Sequence, residues 1–211
     1  MDKYLEIMEK VIKIKSDYIW EGHAINTLLY IIGTKDADLM NHSYRVAKLA
    51  ILIAHELQMP QKAVHQIRLA ALMHDVGKFC IDSKLLYKTG SLAKVDIDII
   101  RMHATYGYML LKRLHVSWPL ADIVYQHHER QDGSGYPRGL TGDSIRPEAR
   151  IIAVADFMES ITYVQPNRLT FELDNALDIN NNFAKKFDRD ALTDCARIFA
   201  KKDFAVGEIW E

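Results

Sequence analysis

Cysteine is scarce: the 211 residues contain only Cys80 and Cys195. Two thiols do not make a disulfide framework, so a small secreted scaffold held together by bridges is excluded. Charge of one sign is lacking too, with 27 Lys and Arg against 28 Asp and Glu and a formal net charge of −1. That balance supplies no field to attract a nucleic-acid polymer or an anionic membrane. Long apolar runs are absent. The most apolar short stretch, residues 25–32, is interrupted by Asn26 and Thr27 and falls far below the ~20 residues needed for a membrane span. The opening MDKYLEIMEK carries too many charges for a secretory signal. The cytoplasm is therefore the expected compartment. No segment alternates apolar and polar residues long enough to require a sheet, and there are no internal repeats or low-complexity linkers.

What remains is a foldable chain, 49% apolar and 26% charged, long enough to bury a sizeable core. Helical periodicity dominates it. Val46, Leu49, Ala50, Ile53 and Leu57 form one apolar stripe. Leu192, Cys195, Ala196 and Phe199 repeat the pattern behind a capping Asp188 or Asp190. An apolar segment over 62–75 is expected to stop at Gly77. Residues 151–154 read equally as a short strand or as a helix continuing from Glu148. Met1 to Ile14 is weakly amphipathic, with Leu5, Met8 and Ile12 on one side. The expected architecture is all-α: a helical N-terminal segment over 1–33, a main helical domain over 34–211, and a long loop at 129–147 with a hairpin-like excursion. The N-terminal segment could serve a homodimer or a signalling partner, although packing on the main body is the commoner fate of such a helix.

The chain holds nine histidines. His23, His55, His65 and His115 have no acidic or histidine partner at useful spacing and read as ordinary helix residues. The other five are placed differently. His42 has Asp38 one turn before it. His74 and Asp75 close an apolar segment, with Lys78 one turn further on. His103 is followed at i+4 by Gly107, a gap that something bulky can approach. His127 and His128 end an apolar helix, and Asp156 follows the apolar IIAVA. A carboxylate buried there without a partner would cost several kcal/mol. Imidazole with carboxylate is a ligand set that first-row divalent ions accept. One ion has too few coordination positions for all these donors, whereas two or three ions sharing bridging carboxylates and water have enough.

The ordered set NHSYRVAKLA (41–50), AALMHDVGK (70–78), HATYG (103–107), HHERQDGSGYPRGLTGDSI (127–145) and ARIIAVADF (149–157) resembles the HD superfamily of metal-dependent phosphohydrolases, and within it the HD-GYP subgroup. The resemblance implies an HD-domain helical bundle and a phosphodiesterase that opens cyclic di-GMP to the linear dinucleotide pGpG, in some relatives onward to GMP. It implies metal ligands at His42, His74, Asp75, His103, His127, His128 and Asp156, with Asp75 bridging. Asp38 stands where a Glu accompanies a third ion in relatives. The implied cofactors are two or three divalent transition-metal ions, iron or manganese foremost. A water activated between them would attack phosphorus in line with the leaving ribose oxygen. Asp75 and Lys78 are the implied catalytic pair; the alternative for Lys78 is a solvated helix-end cation. Asp36, either a guanine contact or the cap of the helix carrying His42, joins Gly135, Tyr136, Pro137 and Arg168 on the substrate side. Asp132 reads as a residue that fixes the loop rather than a ligand.

The resemblance weakens after Asp156. Glu159 replaces a second Asp, and Gln165-Pro166-Asn167 replaces an Arg-Pro-Tyr element implicated in gripping the dinucleotide. Two alternatives therefore stand beside the cyclic di-GMP enzyme: a phosphohydrolase of another cyclic dinucleotide or nucleotide, and a non-catalytic module that binds a nucleotide or partner protein through the GYP loop.

Overall fold

The computed structural model describes residues 19–163 and 184–200, with side chains from residue 23 onward. The amphipathic start and residues 165–168 lie outside them. Among the described residues every long element is helical, and the only β pairing is an isolated antiparallel bridge between Asp132 and Thr141. The α-helices are α1 (Ile19–Lys35), α2 (Ala37–Glu56), α3 (Gln61–Met73), α4 (Ser83–Leu86), α5 (Lys94–Arg101), α6 (His103–Lys112), α7 (Leu120–Gln126), α8 (Pro147–Thr162) and α9 (Arg189–Ala200).

Helix α2 is the hub, packing on α1, α3, α8 and α9. Asp36 starts it as an N-cap whose side chain accepts from the Leu39 amide at 2.9 Å. Its expected stripe is buried at Val46, Leu49, Ala50 and Ile53, with Leu57 packed against the edge of the core. Each large side chain buried this way stabilises by roughly 1.5–3 kcal/mol. Helix α1 continues through position 33 and adds Ile25, Leu29 and Ile32 to the same core. Residues 151–154 are helical, inside α8, whose first position is Pro147. Asp188 rather than Asp190 caps α9, accepting from the Ala191 amide at 3.1 Å.

Two glycines act differently from their expected roles. Helix α3 ends at Met73, four residues before Gly77, which sits inside a 3-10 turn over Val76–Cys80. A Cβ on Gly77 would lie 1.9 Å from the His103 carbonyl oxygen and 2.5 Å from the Gly107 nitrogen. Gly77 is needed for close backbone approach, not for a left-handed stop. The gap at Gly107 is filled by this same turn and by Val124, whose Cγ1 is 3.2 Å from a Cβ built there. The two glycines together let the turn after His74-Asp75 lie directly on α6, which brings Asp75 and His103 to one place.

Candidate metal centre

Helix ends deliver most of the donors. His74 is the C-cap of α3 and Asp75 follows it as the chain enters the 3-10 turn. His103 opens α6, and His127 is the C-cap of α7 with His128 next. His42 and Asp156 project from within α2 and α8.

These side chains form two adjoining groups. Asp75, His103, His127 and His128 bring one donor atom each within 4.8 Å of one another, and His42, His74 and Asp156 do the same. Asp75 faces both. Its Oδ1 lies 3.4 Å from His103 Nε2, while its Oδ2 lies 3.3 Å from His74 Nε2 and 3.6 Å from His42 Nε2. Asp156 Oδ1 lies 3.3 Å from His42 Nε2.

The rings are held in one tautomer. Nδ1 of His74, His103 and His127 donates to the carbonyl three residues back, at Ala71 (2.7 Å), Ile100 (2.7 Å) and Val124 (2.6 Å). Nδ1 of His42 donates to Glu159 Oε2 at 2.8 Å. A neutral imidazole has a single N–H, so each Nε2 is left as a bare lone pair aimed into the site. Nε2 of His42 and His74 face each other at 3.3 Å, as do those of His103 and His127. Ring nitrogens converging in this way beside carboxylates are the donor chemistry of a cation site.

The electrostatics agree. Burial pushes the His127 imidazole well down and its histidine neighbours push it further; burial brings His128 to about 3. Burial would raise the Asp75 carboxyl, but Lys78, His74 and His103 hold it well below the usual carboxylate range. Burial likewise opposes ionisation of Asp156, and its hydrogen bond with His42 outweighs it, holding the carboxyl well below its usual range. Neutral imidazole and ionised carboxylate are the protonation states a metal requires. His42 differs: burial works against its cation, yet Asp156, Glu159 and Asp75 raise it to about 10. A proton and a metal ion compete for that one lone pair.

Lys78 is not a solvated helix-end cation. Its Nζ sits 2.5 Å from Asp75 Oδ2, and its side chain also lines a cleft of ≈ 530 Å³ with Asp36, Asp38, Phe79 and Tyr87. Asp36 caps α2 and also accepts a hydrogen bond from the Tyr87 hydroxyl. Asp38 is exposed, lines this cleft and belongs to neither donor group. Tyr136 stacks on His128, with centroids 4.7 Å apart and planes 29° apart, and the Arg101 guanidinium lies 5.0 Å from the Tyr136 ring. The His128 ring is packed between Tyr136 and the rings of His127 and His103, with centroids 3.9 Å from His127 and 5.0 Å from His103. Arg168 lies outside the described residues.

The glycine-rich loop is pinned rather than slack. Glu129 accepts from the amides of Arg138 at 2.7 Å and Leu140 at 2.8 Å, and Gln126 accepts from the Arg146 amide at 2.8 Å. Gly135 passes so close to the preceding chain that a Cβ would meet the His128 carbonyl oxygen at 2.5 Å. Pro137 follows a cis peptide bond. Asp132 accepts from the Ser134 amide at 2.9 Å, fixing the loop as expected.

Three working residues were not singled out from the sequence, Arg45, Gln126 and Glu129, and Glu159 was read only as a departure from the family pattern. Arg45 lies three residues after His42, and Glu159 three after Asp156. That spacing puts each on its ligand's helix face, a signal available in the sequence.

A helical bundle that gathers five histidines and two aspartates into adjoining donor groups offers side chains that could hold metal ions. The HD domain family model matches residues 26–191, and the chain belongs to the HD-domain family. It is 36% identical over 149 residues to 3'3'-cGAMP-specific phosphodiesterase 3 of Vibrio cholerae, covering 71% of this chain and 32% of that protein. It is 35% identical over 162 residues to the cyclic di-GMP phosphodiesterase response regulator RpfG of Xanthomonas campestris, covering 74% of this chain and 42% of that protein. The chain thus spans less than half the length of either relative. In fold it is similar to Bd1817, a HDG"Y"P protein from Bdellovibrio bacteriovorus, with a TM-score of 0.65 at 18% identity over 94% of this chain and 78% of that one.

Proposed function

We propose that this chain is a metal-dependent phosphodiesterase of the GYP-loop type that hydrolyses cyclic di-GMP to pGpG. The observation that carries the reading is the pair of donor groups joined by Asp75, with Lys78 against the same carboxylate and facing an adjoining cleft. When bound, two divalent ions at these groups, iron or manganese foremost, supply Lewis acidity and an activated water at neutral pH. Asp75, with Oδ1 facing one donor group and Oδ2 the other, would help hold both ions. Lys78 places a compact cation where charge accumulates on the scissile phosphate. The cleft between Asp36, Phe79 and Tyr87 admits the nucleotide, with Gly135, Tyr136 and Pro137 bordering the centre from the loop and Arg168 completing the grip. Asp38, at the cleft rather than in either donor group, would serve a third ion only where one binds beside the cleft.

A second reading, 3'3'-cGAMP as substrate, is favoured by the 36%-identical Vibrio relative whose name specifies it. The test is the full chain loaded with Mn²⁺ or Fe²⁺, given each cyclic dinucleotide separately, with products resolved by chromatography. Linearised cyclic di-GMP, lost in the His74→Ala/Asp75→Ala double variant, supports the reading. Turnover that survives in the double variant overturns the metal chemistry, and exclusive turnover of 3'3'-cGAMP replaces the substrate. Elemental analysis of protein purified without added metal, finding two or three ions per chain, separates the two metal counts.

A further inference from the structure

Three of the ring-holding hydrogen bonds are local. His74, His103 and His127 each use a carbonyl three residues back on their own chain segment, so orientation comes with the helix end itself. His42 is the exception. Its Nδ1 donates to a carboxylate on a different helix, Glu159 of α8, 117 residues away in sequence. Glu159 is buried, and its other oxygen, Oε1, accepts from Arg45 Nε at 2.7 Å. Arg45 is held in turn, with its guanidinium carbon 3.4 Å from the centre of the Tyr163 ring.

The pattern is a two-by-two ladder. His42 and Arg45, one turn apart on α2, face Asp156 and Glu159, one turn apart on α8. Asp156 meets the Nε2 side of His42 and Glu159 meets the Nδ1 side. A ligating histidine whose far nitrogen donates to a carboxylate is more basic and better oriented than one that donates to a carbonyl. Only one of the two donor groups contains such a histidine.

We propose that Glu159, braced by Arg45, is a positioning residue for His42 that selectively sets the metal affinity of the His42–His74–Asp156 group and leaves the Asp75–His103–His127–His128 group unaffected. The two groups therefore differ in one respect: only the His42–His74–Asp156 group includes a ring whose orientation depends on the packing of α2 against α8. The proposal rests on the metal-centre reading above but not on the identity of the substrate.

The experiment is a Co²⁺ titration of the metal-stripped full chain, followed by d–d absorption and calorimetry, on the wild type, Glu159→Gln, His103→Ala and the combined variant. His103→Ala disables the other group and assigns the two affinity classes. Glu159→Gln keeps the shape of the side chain and removes its charge. It is expected to weaken one class by about 10–100-fold while the class lost in His103→Ala is unchanged. Equal weakening of both classes, or no weakening of either, overturns the proposal. If circular dichroism shows Glu159→Gln unfolded, Arg45→Gln takes its place; it loosens Glu159 without removing the carboxylate, and the same class is expected to weaken. An unchanged Arg45→Gln titration then overturns the proposal. A wild type that binds no Co²⁺ overturns the metal-centre reading itself, whereas two ions bound without turnover of any dinucleotide overturns the proposed activity alone.

Discussion

Glu129 follows His127 and His128 directly, yet it belongs to neither donor group. Its buried carboxylate turns to the GYP loop and accepts the Arg138 amide with Oε1 and the Leu140 amide with Oε2. Glu129→Gln keeps the size and replaces one oxygen with an NH₂ group that can only donate. One of the two amides then faces a donor and loses its partner inside the protein. Both bonds are only half-buried, which lets water satisfy part of the freed amide, but the lost bond was charge-assisted, so a cost of about 1–2 kcal/mol is expected. For a chain of this size each kcal/mol lowers the melting temperature by about 2–4 °C, so a fall of roughly 2–8 °C is expected. Amide hydrogen exchange adds the local reading. Protection at Arg138 or Leu140 should fall, while amides within α2 keep theirs apart from the global change. Loosening the loop also loosens the seat of Tyr136 on His128, so metal affinity should fall with it. An unchanged melting temperature together with unchanged exchange at both amides would refute the assignment of Glu129 as the clasp of the loop.

Tyr136→Phe keeps the ring on His128 and should leave metal affinity intact, whereas Tyr136→Ala removes it and should weaken one ion by roughly tenfold, read by the same Co²⁺ titration. Equal behaviour of the two variants would show that the stack does not orient His128. For the thiols, one fast-reacting group per native chain is expected with Ellman's reagent, because Cys80 is exposed and Cys195 is buried. Burial also pushes the Cys195 thiol well above its ordinary range, so raising the pH to 9 should still leave it silent, and only denaturant should release the second equivalent. Two fast equivalents in the native protein would contradict the packing of α9.

The candidate donors were legible in the sequence because most of them break a local rule. His74-Asp75 and His127-His128 terminate apolar segments, and Asp156 follows one, positions where an unpartnered polar group is too costly to bury. Helical periodicity likewise marked α2 and α9, since a single buried stripe is a property of one segment. The role of Gly77 was misread for the opposite reason. Its need for space comes from α6, a different helix, and no local pattern records that approach. Asp36 is the cap that its position before α2 allowed, whereas which neighbours Asp38 faces depends on what packs against α2. The division of seven donors into two groups, the bridging position of Asp75 and the link from Glu159 to His42 were decided by tertiary structure alone. Chain segments up to 117 residues apart have to meet before those contacts exist. By itself, the sequence determined which atoms could bind metal, because side-chain chemistry travels with the residue. Which atoms act together depends on distances across the core, and only the packing of the helices sets those.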